Sequence, residues 1–418
     1  MLGVQPFSSA RAPRRAHSAP NPPVLAGKGT LIAKASAAIS GHADTRTAAL
    51  EVAEWVEGGL AGAQAKALIV LASFHHARSL NLAIETLQAH LKPEALIGGT
   101  AQTVFAGVDV PERRSGLAAF AIGGPDVHAR AFALDWERGP AELTTPNHWR
   151  TLAHTGEDHA ATFLLADPFS TAPAPVLSNV STAIGGPIGG GLLSGSTLPS
   201  GNTLVANEVQ THTGLVGIGI GGNLRCEMLL SRACRPIGEP LLVTAAAHDR
   251  ILGLGGRPAA AVAREAILGL SETERQLVSD GLRLGIAASE FRDRFSPPDF
   301  LIREIVGVDE KTGALQINER PIIGRTVQFH VLDLDVARND LDLALEAQLL
   351  ETEPPIGILM AESGLRDVGS EDLAQIRQRL GAVPTAGFVA AGEFGPFNEQ
   401  AVLQGGCASA MIFRQNDR

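Results

Sequence analysis

The chain has 418 residues, a formal charge of −10 from 34 Lys+Arg against 44 Asp+Glu, 45% hydrophobic residues, 46 glycines and no tyrosine. That length suits two or three domains with real cores, and the hydrophobic content excludes a wholly disordered chain. Glycine has no period of three, no apolar run reaches the ~18 residues of a membrane-spanning helix, and an acidic chain with 4% aromatics is a poor nucleic-acid binder.

Residues 1–34 carry Arg11, Arg14, Arg15, Lys28 and Lys34 and no acid, so the tail holds +5 and the rest −15. An acid-free, Ser- and Pro-rich N-terminus reads as a disordered basic extension or as an organellar transit peptide. From Ala35 the pattern is globular. Ala49, Val52, Ala53, Val56 and Leu60 predict an amphipathic helix, Ala67–Phe74 a strand buried on both faces, and Leu80–Leu91 a second helix. Ala95–Thr100 and Gly116–Gly123 read as further strands, so at least one β-α-β crossover is expected. Beyond Asn202, the runs Leu204–Ala206, Gly214–Ile220, Leu224–Leu230 and Leu241–Thr244 predict an antiparallel meander.

Pro258–Leu268 predicts a helix, and the capping box from Ser271 to Glu274 opens another, expected to run to about Ala288. Leu301–Val306, Ala314–Ile317 and Thr326–Leu332 read as strands, the first two joined by a turn at Asp309–Gly313. Leu341–Leu350 reads as a helix, Ile356–Met360 as a strand, Glu371–Leu380 as a helix, and Gly387–Ala391 and Ala408–Phe413 as strands. The main domain boundary is expected near residue 250, giving domains over 35–250 and 251–415.

The generic signatures of chemistry are missing. There is no P-loop, no HExxH, no EF-hand loop and no GxSxG. Cys226, Cys234 and Cys407 include no CxxC pair, so no metal centre and no cofactor is expected, and the thiols read as reduced in an intracellular, cytoplasmic setting. The glycines of Gly185–Gly195 either present amides to an anion, or permit a tight turn with positive φ or close backbone packing. His75 and His76 follow a strand and point opposite ways, so at most one faces a cleft. In Arg235–Pro240 two prolines stiffen a segment that presents Arg235 and Glu239. Glu393, between Gly392 and Gly395 and among Ala and Phe, is either desolvated or at a cleft.

Three of these segments resemble the paired FIST N-terminal and C-terminal domains of sensory proteins. Ala95–Gly107 is similar to a glycine-threonine element of that family. Ser231–Thr244 (SRACRPIGEPLLVT) is similar to its cysteine-arginine-proline corner, and Ala386–Phe397 (AGFVAAGEFGPF) to its late glycine-glutamate element. Ile305–Ala314 also resembles the C-terminal domain. Where the family commonly carries a cysteine-containing CNGRG element, this chain has Met360–Arg366 (MAESGLR), and Gln404 and Cys407 stand where it often has His and Thr.

The resemblance implies an α/β, mixed α+β fold: two domains, each a mixed or antiparallel sheet covered by helices, packed around a shared cleft. It implies an intracellular sensor in signal transduction that binds a small ligand, an amino acid or small carboxylate, between the domains and passes the signal to a protein partner. Arg235 would meet a ligand carboxylate, and Glu393 an ammonium or Arg235 itself. Glu239 and Gly392 would lie alongside, with Thr100 and Ser196 supplying hydroxyls. A purely structural bridge from Arg235 to Glu393 or Glu239 explains the same residues. The alternatives are a hydrolase using Cys407, Ser196 or Thr100, and a scaffold like the family's F-box relative.

Overall fold

The computed structural model describes residues 32–107, 115–134, 145–153, 156–291, 294–366, 370–398 and 400–416. The transit-peptide or extension reading of residues 1–31 lies outside them. The α+β class expected is the one found, with eight helices among the described residues and 45% strand. An ordinary domain has roughly 20–25% strand, so here the sheets set the architecture.

The chain writes one topology three times. The first copy is β1 (Lys34–Ser40), α1 (Thr45–Leu60), β2 (Ala65–Ser73), α2 (Leu80–Leu91), β3 (Ala95–Ala101), β4 (Val104–Ala106) and β5 (Leu117–Gly123). The second is β6 (Val127–Leu134), α3 (Pro146–Ala153), β7 (His159–Ala166), α4 (Pro173–Ile184), β8 (Ile188–Leu192), β9 (Leu204–Ala206), β10 (Val209–Thr211) and β11 (Leu215–Gly222). The third opens with β12 (Leu224–Arg232) and is interrupted by an insert. The insert comprises β13 (Cys234–Ala247), β14 (Arg250–Leu254), β15 (Arg257–Pro258), α5 (Ala259–Leu268), α6 (Glu272–Leu277), β16 (Leu282–Ala287), β17 (Phe300–Asp309), β18 (Ala314–Ile317) and β19 (Thr326–Leu332). The third copy then resumes with α7 (Leu334–Gln348), β20 (Pro355–Ser363), α8 (Ser370–Leu380), β21 (Thr385–Ala390), β22 (Gly392–Phe397), β23 (Gln400–Leu403) and β24 (Cys407–Gln415).

Within each copy the strand order is the same: β1-β5-β2-β3, β6-β11-β7-β8 and β12-β24-β20-β21. The two middle strands joined by a helix run parallel (β2 with β3, β7 with β8, β20 with β21), and the last strand of each copy pairs antiparallel between its neighbours. Each copy also gives away a strand. β9 adds to β3, β22 adds to β8, and β4 adds to β21. The exchange is cyclic, so the three sheets are locked to one another by backbone pairing.

Strand alternation then divides the apolar residues. Ile69, Leu71 and Phe120 of the first sheet meet Phe163, Leu165 and Ile218 of the second and Leu359, Phe388 and Phe413 of the third in one central core. The alternate residues, such as Leu68 and Val70, Leu164, or Met360 and Ile412, face helix layers built on α1 and α2, α3 and α4, or α7 and α8. Where the inner faces touch, glycine is required by space. A Cβ on Gly189 would sit 2.6 Å from the Met411 side chain, and one on Gly357 would sit 2.6 Å from the Ala35 Cβ. Within Gly185–Gly195, Gly189, Gly190, Gly191 and Gly195 serve close packing, while Gly185 and Gly186 have room for a side chain and turn the chain at φ +71° and +75°.

Two expectations change. The strands after Asn202 form no meander: β9, β11 and β12 lie in three different sheets. Glycine turns mark where a strand stops but not which sheet the next one joins. The helix opened by Ser271 has its capping box but ends at Leu277, and Leu282–Ala287 is strand β16. Gly281 breaks it with φ +97°, and a Cβ on Gly285 would lie 2.4 Å from the His330 ring.

The insert makes its own seven-stranded sheet, β13-β19-β16-β17-β18-β14-β15, over a separate core that includes Ile237, Val243, Leu284 and Phe329. Its two ends leave and return side by side, since Cys234 opposes Leu332.

Candidate functional site

The residues singled out in the sequence fall into three places. Arg235 begins β13 at the root of the insert. Its Nε donates to Asp333 Oδ2 at 3.1 Å and its Nη1 to Glu274 Oε1 at 3.2 Å. Asp333 caps α7, accepting from Asp335 and Val336 amides, and Glu274 closes the capping box of α6. Arg235 thus ties two helix starts to the insert, and its partners are neither Glu239 nor Glu393. Glu239 is exposed, in the bulge where the pairing of β13 with β19 slips between Ile237 and Leu241. Gly238 takes φ +63° there.

Glu393 and Gly392 lie on β22, opposite Gly191 and Leu192. Glu393 is 1% exposed, and its Oε2 accepts from the Cys407 amide at 3.2 Å. Burial lifts its carboxyl from the ordinary 4.5 to about 8, against the pull of that amide and of the more distant Arg366 guanidinium. Burial also pushes the Cys407 thiol up and carries the Cys234 thiol to about 11. A nucleophilic thiolate needs the opposite environment. A Cβ on Gly406 would come 3.0 Å from Cys234 Sγ. The two long motifs that carry the family resemblance, Ser231–Thr244 and Ala386–Phe397, therefore meet through Cys234, Gly406, Cys407 and Glu393, at the joint between insert and body.

Arg366, of the altered MAESGLR segment, lies beside this joint. It holds Asp372 of α8 with Nε and Nη2 at 2.8 and 3.1 Å, and it donates to the Ser231 carbonyl and hydroxyl at the end of β12. The pair is almost fully buried.

Thr100 and Ser196 make the third place, where β3 receives β9. Thr100 is buried, and its Oγ1 accepts from the Thr203 amide at 3.0 Å. Gly195 packs on it, with a notional Cβ 2.8 Å from that oxygen. Ser196 Oγ accepts from the Leu198 amide at 3.1 Å. Of the histidine pair, His76 is buried with Nδ1 2.9 Å from Thr45 Oγ1, and His75 is exposed.

A cavity lies elsewhere among the described residues. A cleft of about 750 Å³ opens between the insert and the β22–β23 hairpin. One wall is the insert, with Val243, Ile251, Ile286, Leu301, Ile317 and Val327. The other is Phe397, Asn398, Gln400 and Val402 of the hairpin. Arg303, Glu319, Arg320 and Arg325 also line it; Arg235, Glu239, Glu393, Gly392, Thr100 and Ser196 do not. Arg303 is engaged through two of its three nitrogens: Nε donates to Glu319 Oε2, and Nη1 donates to Ile302 O at 2.8 Å and to Leu403 O at 3.1 Å. That last bond stitches the two walls together. Arg325 lies 3.9 Å from Glu290, whose oxygens already accept from Thr326. Arg320 is exposed and has no hydrogen bond or ion pair among the described residues. The cleft thus carries spare positive charge in a chain of net −10. No group of three or more metal-ligating side chains occurs among the described residues, and no described helix is long and apolar enough to cross a membrane.

Sequence reasoning passed over the cleft arginines. The available signal was Asn318–Arg325 (NERPIIGR), a proline-stiffened loop with two arginines beside one acid.

Comparison with known proteins agrees with the fold. The FIST N domain matches residues 66–257 and the FIST C domain residues 259–396. An uncharacterized protein of Mycobacterium tuberculosis is 36% identical over 383 residues, 90% of this chain and 98% of its own length. An uncharacterized protein of Mycobacterium bovis is 33% identical over 378 residues, 88% of this chain and 96% of its own. FIST domains are associated with sensory roles in signal transduction. With both domains matched in succession over most of its length, the chain belongs to the FIST family.

Proposed function

We infer that this protein is a sensory module whose small ligand binds in the cleft between the insert and the β22–β23 hairpin. The observation that carries the reading is the cleft itself, about 750 Å³ with walls from two separate parts of the fold. Small-molecule sites are commonly ~300–1,000 Å³, mostly apolar, with few polar groups. A ligand touching both walls favours whichever arrangement of insert and hairpin fits it best, and so shifts the population toward that arrangement. The joint at Cys234, Cys407 and Glu393 is the hinge of that shift, and a protein partner reads the outer surface.

The test is a thermal-shift screen of small acids, amines and amino acids on the full chain and on Val402→Trp, which fills the cleft. Binding at a hundred times Kd stabilises by about 2.7 kcal/mol, enough for a clear rise in melting temperature. A ligand that raises it in the parent and not in the filled variant is the expected result. Shifts that survive Val402→Trp, or no shift with any compound, would refute the reading.

A further inference from the structure

We propose that the cleft selects amphiphilic monocarboxylates: an apolar acyl or aryl body with one acid head and no neighbouring ammonium. The proposal rests on the reading of the cleft as the ligand site and names what the site recognises.

The body follows from the floor. Val243, Ile251, Ile286, Leu301, Val327 and Val402 line a space large enough for a medium-length chain or a ring system, and apolar surface removed from water there contributes in proportion to its area. The head follows from the arginines. Arg303 spends Nε and Nη1 on Glu319 and two carbonyls, and its charge is balanced by Glu319. Arg320 carries no partner among the described residues, and Arg325 has a loose contact to Glu290 at 3.9 Å and a long bond to the Ala288 carbonyl at 3.5 Å. Both sit on the loop at the rim of the apolar floor. A guanidinium meets a carboxylate through two parallel hydrogen bonds, so the head docks at Arg320 with Arg325 in support.

The exclusion of an ammonium follows from the acids. Glu319 is the one carboxylate among the lining residues, and Arg303 already neutralises it. An amino acid would bring a cation beside Arg320 and Arg325, where the nearby acid, Glu290, already accepts from Thr326 and faces Arg325, and a like charge so placed costs affinity.

The experiment uses calorimetric titration of the full chain with three ligands of the same chain length: octanoate, 2-aminooctanoate and octylamine. Octanoate should bind, 2-aminooctanoate about tenfold more weakly, and octylamine not measurably. Arg320→Gln, an exposed change that removes no internal contact, should weaken octanoate about tenfold. Val402→Trp should abolish binding of octanoate and of 2-aminooctanoate. If octanoate fails to bind, if 2-aminooctanoate binds equally or better, or if Arg320→Gln leaves octanoate unchanged, the assignment of ligand class is overturned. The cleft reading then still stands provided Val402→Trp removes whichever ligand does bind. If a ligand binds equally to Val402→Trp, the cleft reading falls as well.

Discussion

Glu393 gives the sharpest test of how the joint is built. The folded protein holds this proton more tightly than the unfolded chain does, because burial lifts the carboxyl from 4.5 to about 8. A raised acid is neutral, and without cost, below its unfolded value. As pH climbs from 4.5 toward 8 the unfolded chain gains by ionising and the folded one does not, so stability falls across that window. At 1.36 kcal/mol per pKa unit, the cost is on the order of 3 kcal/mol at pH 7 and 4 kcal/mol at pH 8. Glu393→Gln keeps an oxygen for the Cys407 amide, which lies 3.2 Å from Oε2, and cannot ionise. The charges that bear on the site, Arg366 and Glu304, are the same in both proteins and largely cancel in the difference, and the Cys234 and Cys407 thiols, pushed up by burial, stay neutral throughout. Urea unfolding of parent and variant at intervals from pH 5 to pH 8 should therefore show the variant gaining on the parent steadily with pH. A difference that stays flat over that range would mean that Glu393 is ionised in the fold, and the picture of a desolvated carboxyl would be wrong.

Arg235→Ala should cost about 1 kcal/mol or less, since its bonds to Glu274 and Asp333 are half-exposed. It should leave the affinity of any cleft ligand unchanged in calorimetry; a loss of affinity without a loss of stability would place Arg235 at the ligand instead. Gly357→Ala puts a methyl 2.6 Å from Ala35 Cβ and 2.9 Å from the Phe120 ring. Forcing those sheets apart should cost about 1–3 kcal/mol in chemical denaturation, and no loss would mean that the inner faces are less tightly packed than described.

Much of the element list was legible because single segments carried their own signal. Leu80–Leu91 is α2 to the residue, and Ala314–Ile317 and Thr326–Leu332 are β18 and β19. The turn at Asp309–Gly313 closes as expected, with Asp309 Oδ1 accepting from Lys311 and Thr312 amides and Gly313 at φ +68°. What failed to show was pairing. The exchanged strands β4, β9 and β22 are short, and nothing in Val104–Ala106 announces a partner at Ala386–Phe388. The threefold repetition stayed hidden for the same reason, and because the insert separates β12 from the rest of its copy. The family signal found the joint but not the cleft. Ser231–Thr244 and Ala386–Phe397 stood out through glycine, proline and cysteine, residues that fix backbone geometry. The cleft depends on side chains from distant segments, joined across it by a bond from Arg303 to Leu403, 100 residues away.

The insert explains why function would concentrate where it does. Three copies of one topology, exchanging strands in a ring, leave little freedom at their shared core: Phe120 and Phe413 stack 6.1 Å apart there, and glycines mark the contacts. The exchanged strands β4 and β9 are apolar throughout, as that core demands. β22 departs from them by placing a carboxyl, Glu393, in the corresponding strand. It does so at the one copy that the insert interrupts, beside the residues where the insert leaves the body. A buried carboxyl is costly, and it is tolerated when it stays neutral and hydrogen-bonded, as Glu393 does with its raised pKa and the Cys407 amide. Insert and body meet there through an apolar cluster that packs Cys234, Phe300 and Ile302 of the insert against Ala337 of α7, through Arg235 on Asp333, and through Arg303 across the cleft. A ligand bound as proposed, between Arg320 and Val402, would act on the last of these, and so on the seam at which the repeated fold departs from its own pattern.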